Sequence, residues 1–311
     1  MNFTVESYRG AFAEALLELG EKLEHLVVLD ADVARSTMTK KFAERFPHRF
    51  IQVGISEQDL VGTAAGLAIA GKLPLVSAFS MFLMRAWEQI RNTVARDRLN
   101  VKFVATHAGL SDYLDGSSHQ SLEDIAIMRV IPNMNVVVPA DAVSTRKLLF
   151  EIFQRHGPAY MRIGRDYAPR VYEDESEIKM GKINRLEDGD DVCIAACGVM
   201  TAMALHAAKI LKKRGINAAV IDVHTIKPLD RRTLINMASR TGAFVAVEEH
   251  NIFGGLGSAI LEEISEEYPV RMKRVGIRDT FGTCSRDYVS LLKHYGLDIE
   301  SIVRAAEEVV K

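Results

Sequence analysis

Short apolar runs alternate with helix-length segments along almost the whole chain, and no other feature restricts the fold so strongly. The runs "HLVVLDAD" (25–32), "FIQVG" (50–54), "LPLVSAF" (73–79), "NVKFVATH" (100–107), "NVVVPA" (135–140) and "AYMRIG" (159–164) read as strands, with helical patterns at 6–20, 57–71, 80–97, 121–129 and 142–155 between them. Such alternation is the pattern of a parallel sheet covered by helices. A charged stretch short of core formers, "VYEDESEIKMGKINRLEDGDD" (171–191), interrupts it. The pattern then resumes, with strands at 192–198, 217–223, 243–249 and 270–277 and helices near 201–214, 230–240, 256–267, 286–295 and 298–310. A chain of 311 residues has room for two domains of ordinary size. The expected fold is therefore α/β with two domains, each a mostly parallel sheet flanked by helices: residues 1–170, a linker at 171–190, and residues 191–311. No sequence repeat relates the two blocks.

The stretch "GISEQDLVGTAAGLAIAG" (54–71) poses a chemical question, because four polar residues, two of them acids, open a helix otherwise built from small and apolar side chains. Ser56 followed by Asp59 has the spacing of an N-cap and its partner, which puts Glu57 in the first turn. The rest of the helix is apolar on every face, the pattern of a buried helix. Glu57 is then either a complement to the helix dipole near the surface or a buried acid with a chemical task.

Ligands of open α/β sheets bind beyond the carboxyl ends of the strands. That rule selects the loops "DADVARS" (30–36), "GISEQ" (54–58), "SAFSMF" (77–82) and "THAGLSDYLDGSSHQ" (106–120). The last holds His107, Asp112, Asp115, His119 and Gln120. It reads equally as a solvated polar loop or as a functional one, since functional residues concentrate in loops; it has no Cys and no helical metal-ligand spacing. Phe79 and Phe82 lie three apart, which ordinarily marks core, the alternative being a flat face for a heteroaromatic ring. "GGLGSA" (254–259) is either a tight turn into a helix or a phosphate cradle at a helix N-terminus. "EDGDD" (187–191) lacks the Asn-containing partner of a Gly-Asp-Gly metal turn, so no magnesium or phosphate site is legible in this chain.

A formal net charge of -2 argues against a nucleic-acid or membrane-surface role. The first twenty residues lack the basic start and apolar run of a signal peptide, and no apolar stretch is long enough for a membrane span. Of three cysteines, Cys193 and Cys197 sit in the apolar strand "DVCIAACG", and Cys284 completes an odd number. This is the usage of a chain in a reducing cytoplasm.

Four segments, "VGISEQDLVGTAAGLAIAG", "SAFSMFLMRAWEQIRN", "DGSSHQSLEDIAIMRVIPNMNVVVPAD" and "YMRIGR", come in the order and spacing of transketolases. The first half resembles their pyrimidine-binding domain, and residues 190–311 resemble their C-terminal domain. Nothing corresponds to the domain that holds the cofactor diphosphate through magnesium, so the resemblance is to the C-terminal subunit of a split transketolase. It implies thiamine diphosphate as cofactor and Mg2+ held by a separate N-terminal subunit. It also implies an α2β2 assembly that transfers a two-carbon ketol unit between phosphorylated sugars.

The resemblance assigns roles by position. A glutamate matching Glu57 hydrogen-bonds the aminopyrimidine N1′ and favours the 4′-imino tautomer that removes the thiazolium C2 proton, and an apolar pocket there would raise its pKa. Phe82, with Phe79 nearby, would form the wall against which the pyrimidine stacks, beside Ile55 and His119. His107, Asp115 and His119 match residues lining the sugar channel, His119 near the reacting carbonyl oxygen. Arg9, Ser36 and Arg165 match the group that binds the sugar phosphate. Arg85 stands where some members carry Tyr and others Arg. "GLSDYLDG" departs from a Gly-rich segment common in the family, which bears on substrate preference. Two rivals share these features: the beta subunit of a 2-oxoacid dehydrogenase, and a non-catalytic partner of the same fold. "SHQ" and "RVIPNMNVVVPAD" favour transketolase over the first, and the joint presence of Glu57, Phe82, Asp115, His119 and Arg165 disfavours the second.

Overall fold

The structure, a computed structural model, describes residues 4–175 and 178–311. In chain order its strands are β1 (Val5–Ser7), β2 (Leu26–Asp30), β3 (Phe50–Gln52), β4 (Leu73–Phe79), β5 (Lys102–Thr106), β6 (Asn135–Val137), β7 (Ala159–Arg162), β8 (Tyr167–Pro169), β9 (Asn184–Glu187), β10 (Val192–Ala196), β11 (Ala218–Asp222), β12 (Thr225–Lys227), β13 (Ala243–Asn251) and β14 (Arg271–Ile277). They form a seven-stranded sheet in the order β12-β6-β7-β5-β4-β2-β3, a five-stranded sheet in the order β14-β13-β10-β11-β9, and a small β1-β8 pair. All pairings are parallel except β12 with β6, β9 with β11 and β1 with β8. The two-domain α/β expectation holds.

The central strands are buried along their whole length: LVVLD in β2, KFVAT in β5 and VCIAA in β10. With helices on both faces there is no wet side to impose alternation, so these strands are continuous apolar runs. Several helices are started by their own caps. Ser7 accepts from Gly10 N to open Tyr8–Lys22, and Asp141 with Ser144 forms a reciprocal capping box for Ala142–Gln154. The second oxygen of Asp141 accepts from Val171 N (2.8 Å) and Tyr172 N (2.9 Å), which pins the chain where it leaves the first sheet.

Four expectations change. The stretch 171–190, expected as linker, contains β9, a short edge strand whose charged side chains hide it in a hydropathy reading. Thr225–Lys227, unassigned from sequence, leaves its own domain and forms the edge of the first sheet, where Lys227 Nζ donates to the carbonyls of Arg129 (2.8 Å) and Ile131 (2.7 Å). The helix expected at 80–97 is broken into Ser80–Met84, Trp87–Gln89 and a π-helical turn, Ile90–Ala95. The helix expected at 121–129 begins only at Asp124. Among the described residues no helix is long and apolar enough to cross a membrane.

Buried polar groups join the domains. Arg162, at the end of β7, directs Nε to both oxygens of Asp124 (3.0 and 2.8 Å) and Nη2 to the carbonyl of Glu249 on β13 (2.9 Å). Tyr160 donates to the same Asp124 (2.8 Å). The Glu249 carboxylate accepts from Leu110 N and from Tyr288, both at 2.7 Å. A buried charge is tolerable only when paired and hydrogen-bonded, and each of these is.

Candidate active site

The carboxyl ends of the parallel strands β2, β4, β5 and β7 bring the polar loops together. After β2, Asp30 accepts from Val33 N (2.7 Å), Thr37 (3.0 Å), Thr39 (2.9 Å) and Gln52 (3.2 Å) and so fixes the loop that carries Ser36. Next to it opens a cleft of about 770 Å³ lined by Ala31, Asp32, Val33, Ile55, Glu57, Met81, Phe82, Met84 and Arg85.

Glu57 begins the helix Glu57–Ile69 and is only 7% exposed. Among the described residues no hydrogen bond or ion pair engages its carboxylate, which faces the cleft. The expected capping pair is absent: Ser56 occupies the N-cap position, but its side chain makes no cap bond. Nor is the helix buried all round. Gln58, Asp59, Gly62, Gly66 and Ile69 are exposed, while Leu60, Val61, Ala64 and Ala65 pack inward. Small residues at 62 and 66 thus mark an open face rather than a core contact.

Three rings stack in a row. Phe79 lies against Phe82 (centroids 4.9 Å apart, planes 9° from parallel) on one side and against His107 (3.6 Å, 17°) on the other. Phe79 is buried at 7% exposure, so Phe82 presents the face toward the cleft and Phe79 backs it. His119 stands edge-on to Phe82 at 5.3 Å, and its Nδ1 lies 2.9 Å from Ser118 Oγ. His107 has its Nδ1 2.8 Å from Thr106 Oγ1. Burial, then the charges of Arg9, Arg165 and His119, push its pKa down to about 2, so the ring is neutral.

Arg9, Ser36 and Arg165 also converge, although they lie far apart in sequence. Arg9 Nη1 donates to the Ser36 carbonyl (2.6 Å), and its Nε donates to the Arg165 carbonyl. Burial and the neighbouring Arg165 charge lower the Arg9 pKa. Arg165 Nη1 in turn reaches Asp112 Oδ1 at 3.2 Å. Asp115 is exposed on the same loop, and Arg85 is exposed at the mouth of the cleft. Of the site residues expected from the resemblance, Ile55, Glu57, Phe82 and Arg85 line the cleft, with Phe79, His107 and His119 in ring contact around Phe82, while Arg9, Ser36 and Arg165 form a second group.

Residues 6–170 match the family described as "Transketolase, pyrimidine binding domain", and residues 181–302 match "Transketolase, C-terminal domain". The chain belongs to the transketolase family. A "Putative transketolase C-terminal section" of Methanocaldococcus jannaschii is 47% identical over 97% of this chain and 96% of its own length. A 6-deoxy-6-sulfo-D-fructose transketolase subunit of Clostridium sp. (strain MSTE9) is 41% identical over 97% of this chain and 94% of its own. A solved structure described as "Split gene transketolase, inactive beta4 tetramer" superposes with a TM-score of 0.89 at 46% identity, covering 98% of both chains. The 1-deoxy-D-xylulose-5-phosphate synthase of Syntrophotalea carbinolica is also similar, at 39% identity, but this chain spans 47% of its length.

Within this transketolase-family chain, sequence reasoning missed the reach of the C-terminal domain into the site. Gln120 Nε2 donates to the carbonyls of Asp112 (3.3 Å) and Thr283 (3.0 Å), and Ser285 N donates to the Tyr113 carbonyl (2.8 Å). The segment around 282–285 therefore clamps the loop that carries Asp115 and His119. The available signal was "VEEH", three titratable residues ending the apolar strand β13. Glu249 grips that loop at Leu110, and Glu248 accepts from Leu256 N (2.6 Å) and Gly257 N (3.0 Å). The helix start at "GGLGSA" is thus filled by a carboxylate of the chain itself, which decides between the two readings of that turn.

Proposed function

We propose that this transketolase-family chain is the C-terminal subunit of a split transketolase. With a separate N-terminal subunit carrying the diphosphate and Mg2+ site, in a cytoplasmic α2β2 assembly, it transfers a two-carbon ketol unit between phosphorylated ketose and aldose sugars. Its chief support is Glu57: a largely buried residue whose carboxylate opens on the cleft and has no partner among the described residues, beside the face of Phe82. A carboxylate left without a protein partner at the wall of a cleft is available to a ligand.

These residues fit the aminopyrimidine end of thiamine diphosphate, which when bound supplies the nucleophilic carbon that takes up the ketol unit. Glu57 would hydrogen-bond and share a proton with the ring nitrogen, and Phe82, stiffened from behind by Phe79 and His107, would hold the ring plane. His119 would sit over the reacting carbonyl as a hydrogen-bond donor or acid. Neutral His107 would bind a sugar hydroxyl without adding charge, alongside Asp115. Arg9 and Arg165, with Ser36 fixing Arg9, would grip the anionic end of the sugar.

The test is co-purification of the chain with its N-terminal partner, followed by assay of ketol transfer from xylulose 5-phosphate to ribose 5-phosphate, with the Glu57→Ala variant in parallel. Activity that requires both subunits, thiamine diphosphate and Glu57 is the expected result. Turnover of 2-oxoacids alone would assign the chain to the dehydrogenase beta subunits, and activity indifferent to Glu57→Ala would make it a scaffold.

A further inference from the structure

We propose that Asp112 is a specificity-determining residue of the sugar-end anion site, one that reduces the site's preference for a dianionic terminus relative to a monoanionic one. This rests on the assignment of Arg9 and Arg165 to the anion, made above. Two arginines alone would suit a dianionic phosphate. The loop "GLSDYLDG" changes that balance, because Asp112 is placed against Arg165 rather than in solvent.

The geometry is specific. Asp112 is 1% exposed, and its Oδ1 takes one arm of the Arg165 fork at 3.2 Å. Ser111 Oγ accepts from Arg165 N at 2.9 Å, so the backbone that carries the guanidinium is locked to the residue beside Asp112. The other oxygen of Asp112 is buried and has no hydrogen-bond donor among the described residues. Burial, then the neighbouring Asp115 charge, push the Asp112 pKa up to about 6, so its carboxyl is mainly ionised at neutral pH and above. Asp112 therefore brings a negative charge against Arg165, and the Asp166 charge acts on Arg9 in the same sense. Against the two guanidinium charges of Arg9 and Arg165, the Asp112 carboxylate leaves at most one net positive charge.

The consequence for recognition follows from charge. A phosphate monoester is largely dianionic above about pH 6, whereas a sulfonate carries a single charge at every accessible pH. Both present three oxygens to the free arms of Arg9 and Arg165. Only the phosphate brings a second charge toward the buried Asp112 carboxylate, and like charges in a partly desolvated site oppose binding.

The test uses the assembled two-subunit enzyme, uncharged glycolaldehyde as acceptor and three ketose donors: fructose 6-phosphate, 6-deoxy-6-sulfofructose and uncharged erythrulose. Asp112→Asn keeps the shape and removes the charge. The expected result is a rise of about tenfold in kcat/KM for phosphate relative to sulfonate, carried by KM, with erythrulose unchanged. Arg165→Gln should lower kcat/KM for both anionic donors and spare erythrulose. An unchanged phosphate-to-sulfonate ratio in Asp112→Asn, while Arg165→Gln still weakens both anions, overturns the role of Asp112 and leaves the anion site standing. If Arg165→Gln affects no anionic donor selectively, the anion-site assignment itself fails. Asp112→Ser, which also removes the charge, repeats the measurement should the Asn variant misfold, and equal changes for all three donors would make Asp112 merely structural.

Discussion

The His107 imidazole lies flat on Phe79, with centroids 3.6 Å apart, and Phe79 in turn lies flat on Phe82. A charged imidazole could not keep that buried position, and its pKa is pushed down to about 2. An unfolded chain takes up a proton on this histidine near pH 6.5 that the folded chain does not. Stability should therefore fall as the pH drops from 7 to 5, by about 2 kcal/mol from this residue alone. Urea denaturation of His107→Gln should show a correspondingly shallower pH dependence over that range.

Glu57 separates fold from chemistry. Since its carboxylate bonds to none of the described residues, Glu57→Ala should leave the unfolding free energy of the isolated subunit within about 0.5 kcal/mol of the parent. The same change should cut the rate of the assembled enzyme at least about 100-fold, the usual worth of a positioned proton-transfer group. Thermal denaturation paired with the transfer assay checks both. A large loss of stability would give Glu57 a structural role instead.

The extent to which all this was legible varies from residue to residue. Buried strands such as VVLD and VCIAA announced themselves, because burial on both faces leaves an uninterrupted apolar run. β9 did not, since an edge strand with Arg185 exposed carries little apolar signal. β12 was hidden for a different reason: its partner β6 is in the other domain, and no local pattern encodes a pairing across that distance. In the candidate site, Glu57 and the two histidines stood out as polar residues at strand ends. That Arg9 meets Arg165, and that Thr283 and Glu249 grip the loop between them, depends on tertiary placement that no spacing reveals.

Gly282 is held to glycine by Gln120. A Cβ there would come within 1.7 Å of Gln120 Oε1, and the amide on the same side chain secures the carbonyls of Asp112 and Thr283. Gly282→Ala should displace Gln120, destabilise the chain by roughly 1–3 kcal/mol and speed hydrogen exchange in residues 112–120. Exchange unchanged in that loop would show that the C-terminal segment does not restrain it.

Lys102, 1% exposed, donates its ammonium to the carbonyls of Arg155 (2.8 Å) and Gly157 (2.6 Å). Burial lowers its pKa to about 7, against 10.5 when exposed. Between those values the unfolded chain binds the proton and the folded chain has released it, so this residue makes stability rise with pH by about 1.4 kcal/mol per unit. Lys102→Met should abolish that rise between pH 7.5 and 9, read from denaturant midpoints across the range.

The placement of β12 bears on how such chains can recombine. Thr225–Lys227 is encoded among the elements of the second domain but closes the edge of the first domain's sheet. A chimera cut in the charged segment 171–190, where the sequence invites it, would give the first domain's sheet a foreign edge strand. Viable shuffling between relatives would have to keep Thr225–Lys227 matched to Asn135–Val137, which makes the two halves heritable as a single block.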